Sequence, residues 1–228
     1  MNTKTFTLLL ATFLSFSNLA AQNRYQSGLL PSINLNKKLN SAYALNLKIE
    51  SREQLAAGFI GNGNGLDHDH LLTDLTFLGS RKIGLTEKLV LGYLLRLNNG
   101  EVIHRSIQQF SFVSSLRGIK LGHRLGTDQT FERNEPTVFR LRYRVSTELP
   151  LEGTNTDPEE FYLKLNNELI QSWSQDRQLL EYRFGPFIGY FLNPKNRFEL
   201  GLDYRNQSIL EAPTRHSYWL SMNWYYNL

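Results

Sequence analysis

The sequence predicts an all-β protein, a single transmembrane antiparallel up-and-down β-barrel of about ten strands, within a range of ten to twelve. The first observation is the strict alternation over Val138–Leu149, where Phe139, Leu141 and Tyr143 lie on one face and arginines on the other; successive strand side chains point to opposite faces. The second is strand length, about 9–14 residues, which exceeds the ~5–6 of globular strands and suits the ~9–11 of a tilted bilayer crossing. The third is that arginine and carboxylate recur on the polar face of strand after strand, as in a barrel lumen.

The amino terminus has the pattern of a secretory signal peptide. Lys4 supplies a positive charge, Phe6–Phe16 is an apolar run, and Leu19–Ala21 ends it with small residues. The run is shorter than the ~20 apolar residues of a spanning helix, and a buried amino-terminal helix is the alternative. We therefore expect residues 1–21 to be a cleaved signal peptide and residues 22–228 to be one outer-membrane β-barrel domain.

The composition excludes several classes of protein. The absence of cysteine excludes a disulfide framework, a thiolate metal site, a cysteine nucleophile and a lipid-anchored amino terminus of the bacterial lipoprotein type. The 25 basic and 21 acidic residues give a net charge of +4. Because the basic residues are spread out and alternate with apolar ones, we expect no nucleic-acid partner.

The first candidate strand, Tyr25–Leu35, contains Pro31, which cannot donate to a ladder, so it is predicted to be an edge or no strand. Bacterial single-chain barrels usually have an even number of strands. Leaving this segment out gives ten strands and excludes eleven; twelve is possible if the segment pairs and one more strand exists. The ten are Ala42–Arg52, Leu71–Arg81, Leu89–Leu97, Ile103–Leu116, Leu121–Phe131, Val138–Leu149, Phe161–Trp173, Leu180–Leu192, Arg197–Arg205 and Tyr218–Leu228.

The connections and irregularities follow from glycine, asparagine and proline. Asn98–Gly100 predicts a tight turn, and the four glycines within Gln54–His70 predict a long loop. The adjacent Gln108–Gln109 pair suggests a bulge. Pro186 is anomalous in mid-strand, and a bulge at Gly185 is one way to absorb it.

The apolar face is predicted to contact lipid, because tyrosine and tryptophan gather near the strand ends, where interfacial girdles lie. The expected location is the cell outer membrane, reached through the signal peptide. The expected partners are outer-membrane lipid, the barrel-assembly machinery during insertion, and a small solute or ligand of unknown identity; no cofactor is expected. A secreted soluble ligand-binding β-barrel is the competing interpretation, and it would turn the apolar face inward.

The inward-facing charges form a predicted ion-pair lattice in the lumen. A ten-stranded lumen is narrow enough to be filled largely by side chains, so a self-neutralising structural role is favoured. The alternative is a narrow anion-preferring pore or a pocket for an acidic ligand, because arginine outnumbers carboxylate. The set is Arg96, Arg105, Arg124, Arg140, Arg142, Arg144, Arg183, Arg197, Arg205, Glu50, Asp128, Glu148, Glu168, Glu199 and Asp203.

Catalytic and metal-binding hypotheses rest on short motifs. His104 and Ser106 lie two residues apart, so on one strand face they are candidates for the base and nucleophile of a lipid esterase. Such matches arise readily by chance, and we expect no enzyme. The cluster Asp67, His68, Asp69 and His70 offers ligands for a divalent ion, although a solvated loop is the preferred interpretation.

Several stretches together resemble the bacterial outer-membrane family catalogued as domain of unknown function 2490. The resemblance covers most of the mature chain, departs from the family pattern at Val102–His104, where a glutamate is more usual, and implies an outer-membrane β-barrel without an established activity. It is carried by Arg105–Gln109, His123-Arg124, Thr127–Phe131, Phe139–Arg144, Pro150-Leu151 and Asn167-Glu168.

Overall fold

The computed structural model describes residues 23–60, 66–116, 118–175, 177–210 and 213–228. The predicted signal peptide lies outside them. In these ranges no helix is long and apolar enough to cross a bilayer. The described residues form eleven strands: β1 Arg24–Lys38, β2 Tyr43–Phe59, β3 Asp69–Lys82, β4 Lys88–Asn98, β5 Glu101–Leu116, β6 Ile119–Phe131, β7 Val138–Pro150, β8 Glu160–Ser174, β9 Arg177–Asn193, β10 Asn196–Gln207 and β11 Arg215–Asn227.

The strands close into one barrel, which confirms the predicted all-β barrel fold. Each strand pairs antiparallel with its sequence neighbours, and β1 closes the barrel by pairing parallel with β11, from Arg24 opposite Arg215 to Asn36 opposite Asn227. The exclusion of eleven strands is therefore wrong. A parallel closing pair removes the need for an even number.

Pro31 does not prevent β1 from joining the barrel, because the chain is paired around it. On the β2 side the register resumes after a gap, with Leu29 opposite Glu53 and Ser32 opposite Glu50. On the other side Pro31 lies opposite Met222 of β11. Pro31, which has no backbone N–H to donate, thus lies at a local break in the hydrogen bonding between β1 and β2.

Closure by β1 puts the two ends of the described chain at opposite rims. We call the rim where β1 begins at Arg24 the amino-terminal rim, and the rim where β11 ends at Asn227 the carboxyl-terminal rim. The predicted turn at Asn98–Gly100 joins β4 to β5 at the amino-terminal rim, and Asn99 and Gly100 both have positive φ, 46° and 84°, as a two-residue hairpin turn requires.

The two predicted bulges are absent from the described strands. β5 keeps one register with β4 and with β6 through Gln108–Gln109. β9 keeps one register with β8 through Pro186, and toward β10 the pairing lapses between Phe184 and Phe187 without a shift. Pro186 is accommodated by this gap, as Pro31 is.

Two inward glycines lie under aromatic rings of the neighbouring strand. Tyr162 is opposite Gly189, where an added Cβ would lie 2.1 Å from the ring. Phe187 is opposite Gly201, where an added Cβ would lie 2.5 Å from the ring. Both aromatic residues are buried. Each glycine therefore makes room for a ring that covers the inner wall.

Candidate functional site

The lumen is charged because the alternation along the strands points the arginines inward. On β7, Phe139, Leu141 and Tyr143 are exposed on the outer face. Arg140 and Arg142, which alternate with these residues along the strand, line the central cavity of the barrel. Acidic residues of β6 and β8 lie opposite these arginines, so ion pairs form across neighbouring strands.

Asp128 of β6 is the carboxylate around which one half of the network forms. It is 1% exposed. Arg140 Nε donates to its Oδ1 over 2.6 Å, Arg105 Nε lies 3.7 Å from Oδ1, and Arg142 Nη1 lies 3.5 Å from Oδ2. Three guanidinium groups thus surround one buried carboxylate.

Glu168 of β8 is surrounded in the same way. It is 2% exposed. Arg142 Nη2 and Arg144 Nη2 lie 3.0 and 2.9 Å from its two oxygens, and Arg124 Nη2 lies 3.7 Å from Oε1. Because Arg142 reaches both carboxylates, Asp128 and Glu168 belong to one cluster with more positive than negative charge.

The rest of the lumen is more nearly neutral. Arg96 forms a two-point contact with Asp74, at 2.8 and 2.7 Å. Glu199 accepts hydrogen bonds from Lys164 and from the hydroxyls of two tyrosines. Further ion pairs join Lys48 to Glu50, Arg183 to Glu181, Arg205 to Asp203 and Arg197 to Glu148.

Arg52 is the exception among the described charges of this lumen. Its guanidinium lies over the ring of Trp219, 5.4 Å from the centroid, and Trp219 is fully buried. Among the described residues no acidic partner lies within ion-pair distance of Arg52, and its Nε is buried without a hydrogen-bond partner, as is Nε of Arg144. The lumen thus has cationic donors that no described protein group satisfies.

A cavity of about 460 Å³ occupies the middle of the lumen. Of the described side chains that line it, eleven are cationic and six are carboxylates. A cavity of about 310 Å³ near the amino-terminal rim shares Glu181 and Gln207 with it. Another of about 670 Å³ near the carboxyl-terminal rim shares Arg124 and Tyr225. Three cavities thus follow one another from the amino-terminal rim to the carboxyl-terminal rim, and neighbouring cavities share lining side chains.

The family model described as "Protein of unknown function (DUF2490)" matches residues 27–217. The chain belongs to this family. No curated protein shows significant similarity to this DUF2490 chain, and neither does any solved structure.

In this DUF2490 barrel most of the predicted lumen residues line the central cavity. Among the described residues, Asp128 lies behind the lining, buried beneath its arginines, and Glu148 pairs with Arg197 away from it at 3.4 Å. The others line the cavity: Arg96, Arg105, Arg124, Arg140, Arg142, Arg144, Arg183, Arg205, Glu50, Glu168, Glu199 and Asp203.

The predicted set omitted five charged residues that also line the cavity: Lys48, Arg52, Asp74, Lys164 and Glu181. Each occupies an inward position of its strand and was detectable by the same alternation. Glu181 precedes Arg183 by two residues on β9, so the two share a face.

The catalytic candidates His104 and Ser106 of this DUF2490 chain lie on the outer face of β5 with separate partners. Tyr93 Oη lies 2.7 Å from Nδ1 of His104. Ser106 donates instead to Gln129, which exchanges amide hydrogen bonds with Gln108. Among the described residues the Ser106 hydroxyl is hydrogen-bonded to this amide and not to a histidine, so the esterase hypothesis gains no support.

The proposed metal ligands are partly engaged by Glu53. His68 Nε2 and His70 Nδ1 lie 3.1 and 2.8 Å from its two carboxylate oxygens. In the described ranges, which include Asp67 and Asp69, no group of three or more histidine or acidic side chains is placed to hold a metal ion. The two histidines therefore link the start of β3 to Glu53 of β2.

Proposed function

We propose that this protein is an outer-membrane β-barrel whose lumen is a narrow passage for small anions. The observation that carries the proposal is the central cavity, where cationic side chains outnumber carboxylates by eleven to six. It shares lining side chains with a further cavity toward each rim. Charged rings that line a pore select ions of the opposite sign. The solute class that this lining favours is therefore a small anion.

The outer face supports residence in a bilayer. Large apolar side chains point outward and are exposed on every part of the wall; Leu91 is 68% exposed, Ile188 56% and Leu200 53%. In water such a continuous apolar surface is unfavourable, whereas lipid tails are its natural solvent. The inward charges and outward apolar residues are the reverse of a secreted soluble barrel.

Aromatic residues at the two ends of the outer face support the same proposal. Toward the amino-terminal rim, Tyr204 and Tyr218 lie with ring centroids 5.3 Å apart. Toward the carboxyl-terminal rim, the rings of Phe198 and Trp224 stack at 6.2 Å. The outward residues between these pairs on β10 and β11 are Leu200, Leu202, Leu220 and Met222. An apolar band between two aromatic girdles is the pattern of a transmembrane barrel.

The outer membrane is the proposed location because the sequence begins with a signal-peptide pattern and strands can span a membrane only as a closed barrel. Lipid of that membrane and the machinery that inserts barrels are the partners this location implies.

Planar-bilayer conductance of the purified full chain tests the passage. We expect steady single-channel steps and, in a salt gradient, a reversal potential that reports preference for chloride. The variant Arg124→Gln/Arg144→Gln should lower this preference, because it removes two positive charges from the cavity lining. Glu168 does not become an unpaired buried charge in this variant, since Arg142 stays 3.0 Å away. The matched control, Arg133→Gln/Arg177→Gln, removes two exposed charges at the amino-terminal rim and should leave it unchanged.

Folding must be established first, by heat-modifiable migration on a gel. Folded protein that gives no conductance steps would overturn the passage and leave a rigid barrel whose charges neutralise one another. Steps with equal permeability to cations and anions would overturn the anion preference.

A further inference from the structure

We propose that the cavity at the carboxyl-terminal rim is a binding site for polyvalent, phosphate-bearing anions. We call this cavity the basic vestibule; its cations are Lys37, Lys38, Lys88 and Arg124. The inference deepens the proposed function, on which it rests for the route of the ligand through the barrel. Binding in the vestibule itself requires no conductance.

The first argument is that cationic side chains are in excess in the vestibule. Among the described residues that line it, four are cationic and none is aspartate or glutamate. Cationic side chains that face one cavity in excess repel one another, and an anion with several charges relieves that repulsion.

The second argument is that these cations are free to bind. In the described part of the chain Lys37, Lys38 and Lys88 form no ion pair, and all three are exposed. Arg124 lies 3.7 Å from Glu168, and Glu168 has the closer arginines Arg142 and Arg144. The guanidinium of Arg124 is therefore weakly held and lines both the vestibule and the central cavity.

The third argument is the contrast with the opposite rim. The cavity there measures about 310 Å³, and its lining contains Arg24 and Arg215 together with Glu181. The vestibule measures about 670 Å³ and also presents neutral polar groups, including Ser111 and Asn46. Attraction for anions is thus concentrated at the carboxyl-terminal rim.

The fourth argument concerns the class of ligand. A cavity of about 670 Å³ exceeds the size of a halide and has room for a chain of phosphate groups. Lysine binds phosphate as a point charge and arginine as a planar fork. Several phosphates would contact several cations at once, from the rim inward to Arg124.

Calorimetric titration of the folded full chain in neutral detergent with inorganic triphosphate tests the site. We expect binding that weakens as salt is added. Lys38→Gln/Lys88→Gln should lower the affinity about tenfold or more, since two charge-assisted contacts are lost. Lys38 shares the inward face of β1 with Ser32 and Asn34. The control Arg133→Gln/Arg177→Gln removes the same charge at the other rim and should bind as the wild type does.

Absence of triphosphate binding, or equal weakening by both double variants, would overturn the inference. Chloride-selective conductance without triphosphate binding would overturn it while the proposed passage stands. Silent bilayers combined with binding that depends on Lys38 and Lys88 would support the vestibule site and overturn the passage. If the lysine double variant does not fold, Lys88→Gln alone serves, because Lys88 is exposed and forms no ion pair in the described residues.

Discussion

Asp128 and Arg140 are direct cross-strand partners on β6 and β7, and Arg140 Nε donates to Asp128 Oδ1 over 2.6 Å. The same carboxylate also compensates Arg105 and Arg142. One buried acid therefore stabilises three inward cations, so the barrel wall depends on it more than on any exposed pair.

Replacing Asp128 with asparagine should destabilise the barrel by about 3–5 kcal/mol, because removing one partner leaves buried cations uncompensated. The free energy of unfolding, from urea titrations of the protein refolded into lipid vesicles, measures this. Asp157→Asn is the control, since Asp157 lies exposed between β7 and β8. Equal stability of the two variants would show that the three arginines do not need Asp128.

Gly189→Ala should destabilise the barrel by about 1–3 kcal/mol, the usual cost of forcing an atom into a packed site. The added Cβ would lie 2.1 Å from the ring of Tyr162. Gly79→Ala is the matched control, because the nearest atom to its Cβ would be 3.9 Å away. The same urea titrations apply, and a Gly189→Ala protein as stable as Gly79→Ala would contradict the covering role of Tyr162.

The parallel closure predicts one specific disulfide. Ser32 and Asn223 are register partners on β1 and β11, and Ser32 Oγ donates to Asn223 Oδ1 over 2.6 Å. Since the chain has no cysteine, Ser32→Cys/Asn223→Cys should cross-link on mild oxidation and shift the band on a non-reducing gel.

The control for this cross-link is Ser32→Cys/Ser217→Cys. Ser217 lies opposite Gln26 rather than Ser32, about 20 Å along the strand from the matching position, so no disulfide should form. Cross-linking of the control pair but not of Ser32 with Asn223 would contradict the register.

The faces of the strands were predictable from the sequence, because the two-residue period is local. Tyr143 and Arg142 are neighbours in a strand, so their side chains were predicted to lie on opposite faces. In the structure Tyr143 is exposed on the outer face and Arg142 lines the central cavity. The closing pair, and with it the number of strands, was not predictable in the same way, because it depends on which strand pairs with β1 after the whole chain has folded. Pro31 argued against a strand locally, yet a gap on one side and β11 on the other accommodate it.

The candidate site was predictable in its polarity but not in its pairing. Inward alternation identified Asp128 and Glu168, but their sharing of Arg142 depends on the register between β6, β7 and β8. The basic vestibule gave no local signal. Lys38 and Lys88 are distant in sequence and line the same cavity only because β1 to β4 pair side by side.

The most direct test of the central claim, that the apolar face contacts lipid and the charged face lines the lumen, is nitroxide labelling in lipid vesicles. Labels at Leu200→Cys on the outer face and at Lys48→Cys in the lumen are compared by collision with oxygen, which dissolves in lipid, and with an aqueous nickel chelate; Asp157→Cys gives the water reference. Leu200 should collide strongly with oxygen and hardly with nickel, whereas Lys48 should show the weaker oxygen response of a non-lipid site. Nickel accessibility at Leu200 equal to that at Asp157 would contradict the account.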